Sequence, residues 1–272
     1  MTKLIINPKT KQNIDYYLKN PSHAVLLHGQ KGLGVDIIAL NTARILAGNQ
    51  LLLITPDEKG KIGIEVIRKD VLRIISNRQN DPFAVVINDA DTMTISAQNT
   101  LLKVLEEPVN NVYFILSAHQ IEKLLPTIQS RVQLLEIMPV PAADTEIILK
   151  NAKITADKRT KISFLAGGKP AETMRLLDDE MYYREMATVA ENAKRFISGN
   201  TYERLIIISG IKKREEAKNF VQIISNLILF LIKTREIASL SENLEVLSTV
   251  ADNLAQNGNT RAQMTYLACH FE

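Results

Sequence analysis

Three short groups of residues carry types and spacings suited to phosphate chemistry. The first is His28-Gly29-Gln30-Lys31-Gly32-Leu33-Gly34-Val35-Asp36, which follows the apolar run Ala24 to Leu27 and precedes a helical pattern closed by Gly48. Strand, glycine turn and helix form the setting in which backbone N–H groups can cradle a phosphate. Gly29 and Gly34 take the two glycine positions of G-x-x-x-x-G-K-[S/T], with Gly32 between them. Val35 stands where the lysine would be, and Asp36 where the magnesium-binding hydroxyl would be. Valine supplies no positive charge to the β- and γ-phosphates. Asp36 puts a carboxylate into the first helical turn, where an anion would otherwise dock. There it can satisfy the helix N-terminus itself, worth about 0.3–1 kcal/mol, or it can ligate magnesium. The first reading suits a loop that keeps its shape while its site is filled from within.

The second group, Asn88-Asp89-Ala90-Asp91, ends the apolar β-rich run Phe83 to Ile87. Polar residues at the carboxyl end of such a strand sit where open α/β sheets bind ligands. The third group is Ser130-Arg131, after Leu124-Leu125-Pro126-Thr127-Ile128-Gln129. Arg131 reads either as an ordinary arginine paired with a carboxylate or as a planar, always-charged donor for phosphate oxygens.

Around these groups the pattern predicts a helix over Lys11 to Lys19, a strand at Ala24 to Leu27 and a helix from Gly34 to about Ala47. Strands are expected at Leu51 to Ile54 and at Ile62 to Ile64. A helix over Val66 to Asn80 follows, with Ile67, Val71, Ile74 and Ile75 at helical spacing. Beyond the Phe83 strand, Ala97, Leu101, Leu102 and Leu105 make the apolar stripe of a helix that Glu106, Glu107 and Pro108 end, the two glutamates being solvated. The next strand is Val112 to Leu116. Strands that are apolar throughout suit a parallel sheet covered on both faces. Pro139 and Pro141 punctuate the end of this α/β part. Short helices are expected at Asp144 to Asn151, Asp157 to Ala166 and Pro170 to Leu177. Only helices follow: Met181 to Ile197, Tyr202 to Ser209, Arg214 to Leu240, Glu242 to Ala255 and Thr260 to the end. Phe220 to Ile232 is apolar on most sides, so several neighbours must bury it.

The ordered set from Phe83 to Arg131 resembles the second Walker motif, sensor strand and Ser-Arg motif of the clamp-loader branch of the AAA+ ATPases. Asn99-x-Leu101-Leu102-Lys103-x-Leu105-Glu106-Glu107-Pro108 is similar to the run found in the bacterial delta-prime and gamma/tau subunits. The resemblance implies an AAA+ parallel-sheet domain over 1–139, a helical lid over 140–179 and a helical collar over 180–272. It puts Asn88 in place of a metal-binding aspartate, Asp89 in place of the glutamate that orients water, Ser117 at sensor 1 and Ala171 at the sensor 2 arginine. Asparagine offers magnesium a neutral oxygen and no charge, and alanine cannot reach a γ-phosphate. Ser130-Arg131 alone matches its motif, and in this family that arginine reaches a neighbouring subunit's ATP. The implied protein is delta-prime-like: a subunit without ATPase activity of its own in the DNA polymerase III clamp loader. Its partners would be gamma/tau and delta subunits in a pentameric ring, with the sliding clamp and primer-template DNA. An active ATPase with unusual site residues and an adaptor outside replication are the other readings.

Composition sets the bounds. The 272 residues suffice for two or three domains, and 33 Lys plus Arg against 30 Asp plus Glu leave no basic footprint for nucleic acid. The single cysteine, Cys269, excludes an internal disulfide and the four-cysteine zinc module that many delta-prime and gamma/tau proteins carry. No metal site and no cofactor is therefore expected, and ATP binding should be weak or absent. The start lacks the hydrophobic region of a signal peptide, and no apolar run is long enough to span a bilayer, which points to the cytoplasm.

Overall fold

The computed structural model describes residues 5–76, 81–150, 152–235, 241–256 and 258–271. The chain divides into two compact units: residues 1–153 with 168–174, and residues 154–167 with 175–272.

The first unit is built on five parallel strands, β1 (Ala24–His28), β2 (Leu51–Ile54), β3 (Phe83–Ile87), β4 (Val112–Ala118) and β5 (Gln133–Glu136), in the order β2-β3-β4-β1-β5. Its helices are α1 (Pro8–Lys19), α2 (Val35–Ala47), α4 (Ile95–Glu106), α5 (Pro126–Gln129) and α6 (Ala142–Lys150). Between β2 and β3 lies α3, a helical run over 64–76 whose middle, Ile67–Leu72, has π-helical bonding.

Alternating side chains of the strands build two cores, one on each face of the sheet. Leu26, Val85, Ile87, Phe114 and Leu116 pack with Ile67, Val71 and Ile75 of α3 and Ala97, Leu101 and Leu105 of α4. Val25, Leu27, Ala84, Val86 and Ile115 pack on the other face with Ile14 and Tyr17 of α1 and Ile38, Ala39 and Ala43 of α2. The central strands β1, β3 and β4 are therefore apolar at nearly every position, as expected of parallel strands covered on both faces.

The predicted elements recur with small shifts, and two strands differ. Ile62 to Ile64 is no strand: Ile62 makes an isolated bridge to Met93, and Ile64 already begins α3. β5 was not expected from the sequence. It forms because Val25 to His28 has a free side on which Gln133 to Glu136 can pair. The ends of two expected helices, 77–80 and 236–240, and Asn151 lie outside the described residues.

The second unit is helical: α7 (Ala156–Ala166), α9 (Glu180–Ser198), α10 (Thr201–Ser209), α11 (Arg214–Arg235), α12 (Ser241–Ala255) and α13 (Thr260–His270). Helix α8 (Pro170–Asp178) has residues in both units. Phe196 anchors the second unit, edge-on to Phe220 at 5.6 Å and to Phe271 at 5.1 Å between ring centroids. Arg204 is buried beside them, where its guanidinium donates to the carbonyls of Phe196 and Phe271, so its charge is satisfied by the backbone. The Phe220 to Ile232 run buries Phe220, Val221, Ile223, Ile224, Leu227 and Ile228 within the unit, whereas Leu229 and Phe230 are about half exposed. Among the described residues no helix is long and apolar enough to cross a membrane.

Candidate functional site

Because β3, β4 and β1 are adjacent and parallel, the segments leaving their carboxyl ends converge. These are the glycine turn 29–34, the loop 88–91 and residues 117–119. This edge is where open α/β sheets gather ligand-binding groups.

The glycine turn has the shape its sequence implies. Gly32 and Gly34 adopt φ of +88° and +79°, a conformation that glycine reaches without the Cβ penalty. Gly29 is pinned by its N–H donating to the Ala118 carbonyl at 3.2 Å, and a side chain there would strike the Ile137 carbonyl. Gly34 then leads into the first turn of α2. Val35, at the lysine position, is 1% exposed and belongs to the core beneath the sheet.

Segment 168–174 of the same unit meets this turn. The Glu172 N–H donates to the Gly32 carbonyl at 3.0 Å. A Cβ added to Gly32 would lie 2.9 Å from Glu172 Cβ and 3.4 Å from the Lys169 side chain. One added to Gly34 would lie 3.6 Å from Ala171 Cβ. Burial holds Lys169 below the usual lysine range, partly offset by the Glu172 carboxylate.

Ser117, buried at the end of β4, ties the two other groups together. Its hydroxyl donates to Asp36 Oδ1 and accepts the Asp89 N–H at 3.1 Å. Asp36, in the first turn of α2, is thus held across the site by a strand 81 residues away. Asp89 takes φ +50°, a left-handed conformation that aspartate and asparagine tolerate better than most residues. Asp91 accepts the N–H groups of His119 and Gln120, both at 3.2 Å, and closes the loop onto β4. Asn88 has its Oδ1 buried without a hydrogen-bond partner.

His119 is the residue that sequence reading missed, since a lone histidine two positions after Ser117 carries no motif. Its Nδ1 lies 2.8 Å from the Gly29 carbonyl, which can only accept, so Nδ1 bears the proton. Its Nε2 lies 3.4 Å from Asp89 Oδ1. Asp36, Asp89 and His119 come within 4.8 Å of one another, and among the described residues they are the set whose side chains could share a metal ion. A metal-site search in the sequence finds no such set, because the three donors come from three separate segments.

Burial, and after it the Asp36 carboxylate, raises the Asp89 pKa above the ordinary aspartate value, with His119 acting the other way. A carboxyl whose folded pKa is raised resists ionisation in the folded state. Below the unfolded value both states are neutral and nothing is lost. As pH climbs from there through the folded value, ionisation removes stability, and the loss is complete once pH has passed that value. Asp89→Asn is therefore expected to melt at a higher temperature than wild type at pH 7, with the difference closing below pH ~4. Thermal unfolding at the two pH values measures this, and an unchanged or lower midpoint at pH 7 would count against the electrostatic account.

Arg131 follows α5. One terminal nitrogen donates to Glu106 Oε1 at 2.8 Å and the other to the Thr127 carbonyl at 2.9 Å, with Ser130 Oγ at 3.4 Å. Ser130 Oγ itself donates to the Thr127 carbonyl at 3.1 Å. Glu106, expected to be solvated only, is half exposed and paired. The ion pair within the subunit is what the ordinary-arginine reading expects. It also means that both terminal nitrogens of the fork already have acceptors.

A five-stranded parallel sheet carrying a glycine turn before α2 and a helical unit beyond it is the AAA+ fold. Two solved structures show this fold at low identity. A gamma subunit-related protein of DNA polymerase III from Thermotoga maritima has a TM-score of 0.54 at 19% identity, covering 96% of this chain and 98% of that one. The RuvB Holliday junction branch migration motor of the same organism has 0.52 at 16%, covering 96% and 87%.

In sequence, the family described as DNA polymerase III, delta subunit, matches residues 49–141. The DNA polymerase III subunit delta' of Yersinia pestis is 36% identical over 135 residues, 40% of this chain and 39% of that protein. A replication factor C small subunit of Methanococcus maripaludis is 28% identical over 224 residues, 79% and 68%. The resemblance to delta-prime read from Phe83 to Arg131 is thus borne out. The chain spans less than half the length of the Yersinia pestis relative.

Proposed function

We propose that this chain is a non-hydrolysing, delta-prime-like subunit of a DNA polymerase III clamp loader. It assembles with gamma/tau and delta type subunits in a pentameric ring in the cytoplasm and helps place the sliding clamp on primer-template DNA. Its division of labour is an AAA+ domain over 1–139, a lid over 140–179 and a collar over 180–272.

The observation that carries this reading is the fate of the nucleotide site. The residue in the lysine position, Val35, is packed into the core, and Asp36 is bound to Ser117. The AAA+ fold implies magnesium and nucleotide at this edge; Asp36, Asp89 and His119 could share a metal ion, but the residues present do not fit the nucleotide's phosphates. There is no P-loop lysine for the phosphates, and Asn88 lacks the charge of a metal-binding aspartate. What is left for ATP chemistry is Arg131, offered to a neighbour's γ-phosphate. Guanidinium geometry suits that task because its fork matches phosphate oxygens.

Reconstitution tests the proposal. Mixed with gamma/tau and delta type subunits, the chain is expected to co-elute as one complex that loads clamp onto primed DNA, and omission of the chain should abolish loading. A chain that never enters the complex, or a complex that loads equally well without it, would sink the proposal.

A further inference from the structure

We propose that Glu106 is a positioning residue that holds Arg131 against its own subunit and releases it only when a neighbour presents a phosphate. This rests on the trans-acting reading of Arg131. Three features of the pair support it. The contact is short, 2.8 Å, yet the side chains are 35% and 50% exposed, so water and competing anions can reach it. An exposed pair is weak and exchangeable, which suits a holding contact better than a structural tie.

Glu106 is also the last residue of α4, followed by Glu107 at the cap. A carboxylate at a helix C-terminus opposes the macrodipole, so this glutamate does not serve its own helix. Arg131 is the cation that offsets it. The other terminal nitrogen of Arg131 rests on the Thr127 carbonyl and near Ser130 Oγ, which fixes the side chain while leaving Glu106 as its only anionic partner among the described residues. Exchange of Glu106 for a γ-phosphate keeps the guanidinium paired with an anion at each end of the step. Glu106 therefore sets the fraction of Arg131 that is free to act, and the neighbour's nucleotide competes with it.

The test uses the assembled complex with clamp and primed DNA, comparing wild type, Glu106→Gln, Glu106→Lys, Arg131→Ala and Glu106→Gln with Arg131→Ala. The two Glu106 variants are expected to raise ATP turnover at sub-saturating ATP by up to about fivefold, the factor an exposed pair can supply. Their unfolding midpoints should change little, since the pair they remove is half exposed. In the Arg131→Ala background the Glu106 change should do nothing. If Arg131→Ala lowers turnover while both Glu106 variants match or fall below wild type, the holding role is overturned and the trans-acting role survives. If Arg131→Ala leaves turnover unchanged, the trans-acting reading fails and the holding role fails with it.

Discussion

Arg131→Ala is expected to leave the fold and assembly of this subunit intact while cutting ATP hydrolysis by its neighbour and clamp loading by the complex. The small effect on the fold follows from exposure: the Glu106 ion pair is worth roughly 0–1 kcal/mol at such a surface. The effect on the neighbour is a different matter. An arginine delivered to transferring phosphate oxygens contributes about 10³–10⁵-fold in GTPases. That range is an upper bound here, because other interfaces in a ring would continue to turn over. Arg131→Lys should restore only part of the loss, since an ammonium cannot reproduce two parallel donors. The measurement is steady-state ATPase of the reconstituted complex with clamp and primed DNA, at matched assembly. Equal rates for wild type and Arg131→Ala would leave Arg131 as a surface partner of Glu106 and nothing more.

Titration of the isolated chain with magnesium-ATP should show no saturable binding at micromolar nucleotide. A phosphate loop without its lysine loses the main positive charge on the β- and γ-phosphates, and the Asp36 carboxylate meets them with the wrong sign. The loop's N–H groups remain, so millimolar association through the backbone alone is compatible with the reading. Val35→Lys with Asp36→Thr should not recover tight binding. Val35 is 1% exposed, and a lysine there has to leave the core or shed its proton, at a cost of several kcal/mol either way. Calorimetry at micromolar ATP decides the matter, and a saturable isotherm for the unmodified chain would overturn the dead-site reading.

The elements and the candidate site differ in how far they could be read from the chain. Central strands β1, β3 and β4 were legible because apolar side chains at successive positions have one economical use, burial on both faces. The glycine turn was legible for a similar local reason, since Gly32 and Gly34 reach positive φ without strain and the α2 pattern starts at once. β5 was not legible. Its four residues, Gln133 to Glu136, include only two apolar ones, with Leu134 about half exposed, and become a strand through the hydrogen bonds β1 offers them. Ile62 failed the other way, because its alternation with Ile64 suggested a strand while its partner is a single residue, Met93, 31 positions on.

By itself, the sequence determined which residue types stand at the proposed nucleotide site, because Val35, Asp36, Asn88 and Ala171 are chemical facts of the chain that no folding can alter. It also determined the parallel sheet, through the apolar runs that demand cover on two sides. Tertiary structure alone decided where the remaining polar groups go. It brought His119 to Asp89, set Ser117 between Asp36 and Asp89, laid Glu172 on the Gly32 carbonyl and paired Arg131 with Glu106. The physical reason is range. Backbone conformation and burial periodicity are written in neighbours a few residues apart, whereas a hydrogen bond or ion pair needs two groups within about 3 Å, and only the folded sheet brings segments 25 to 140 residues apart into that distance.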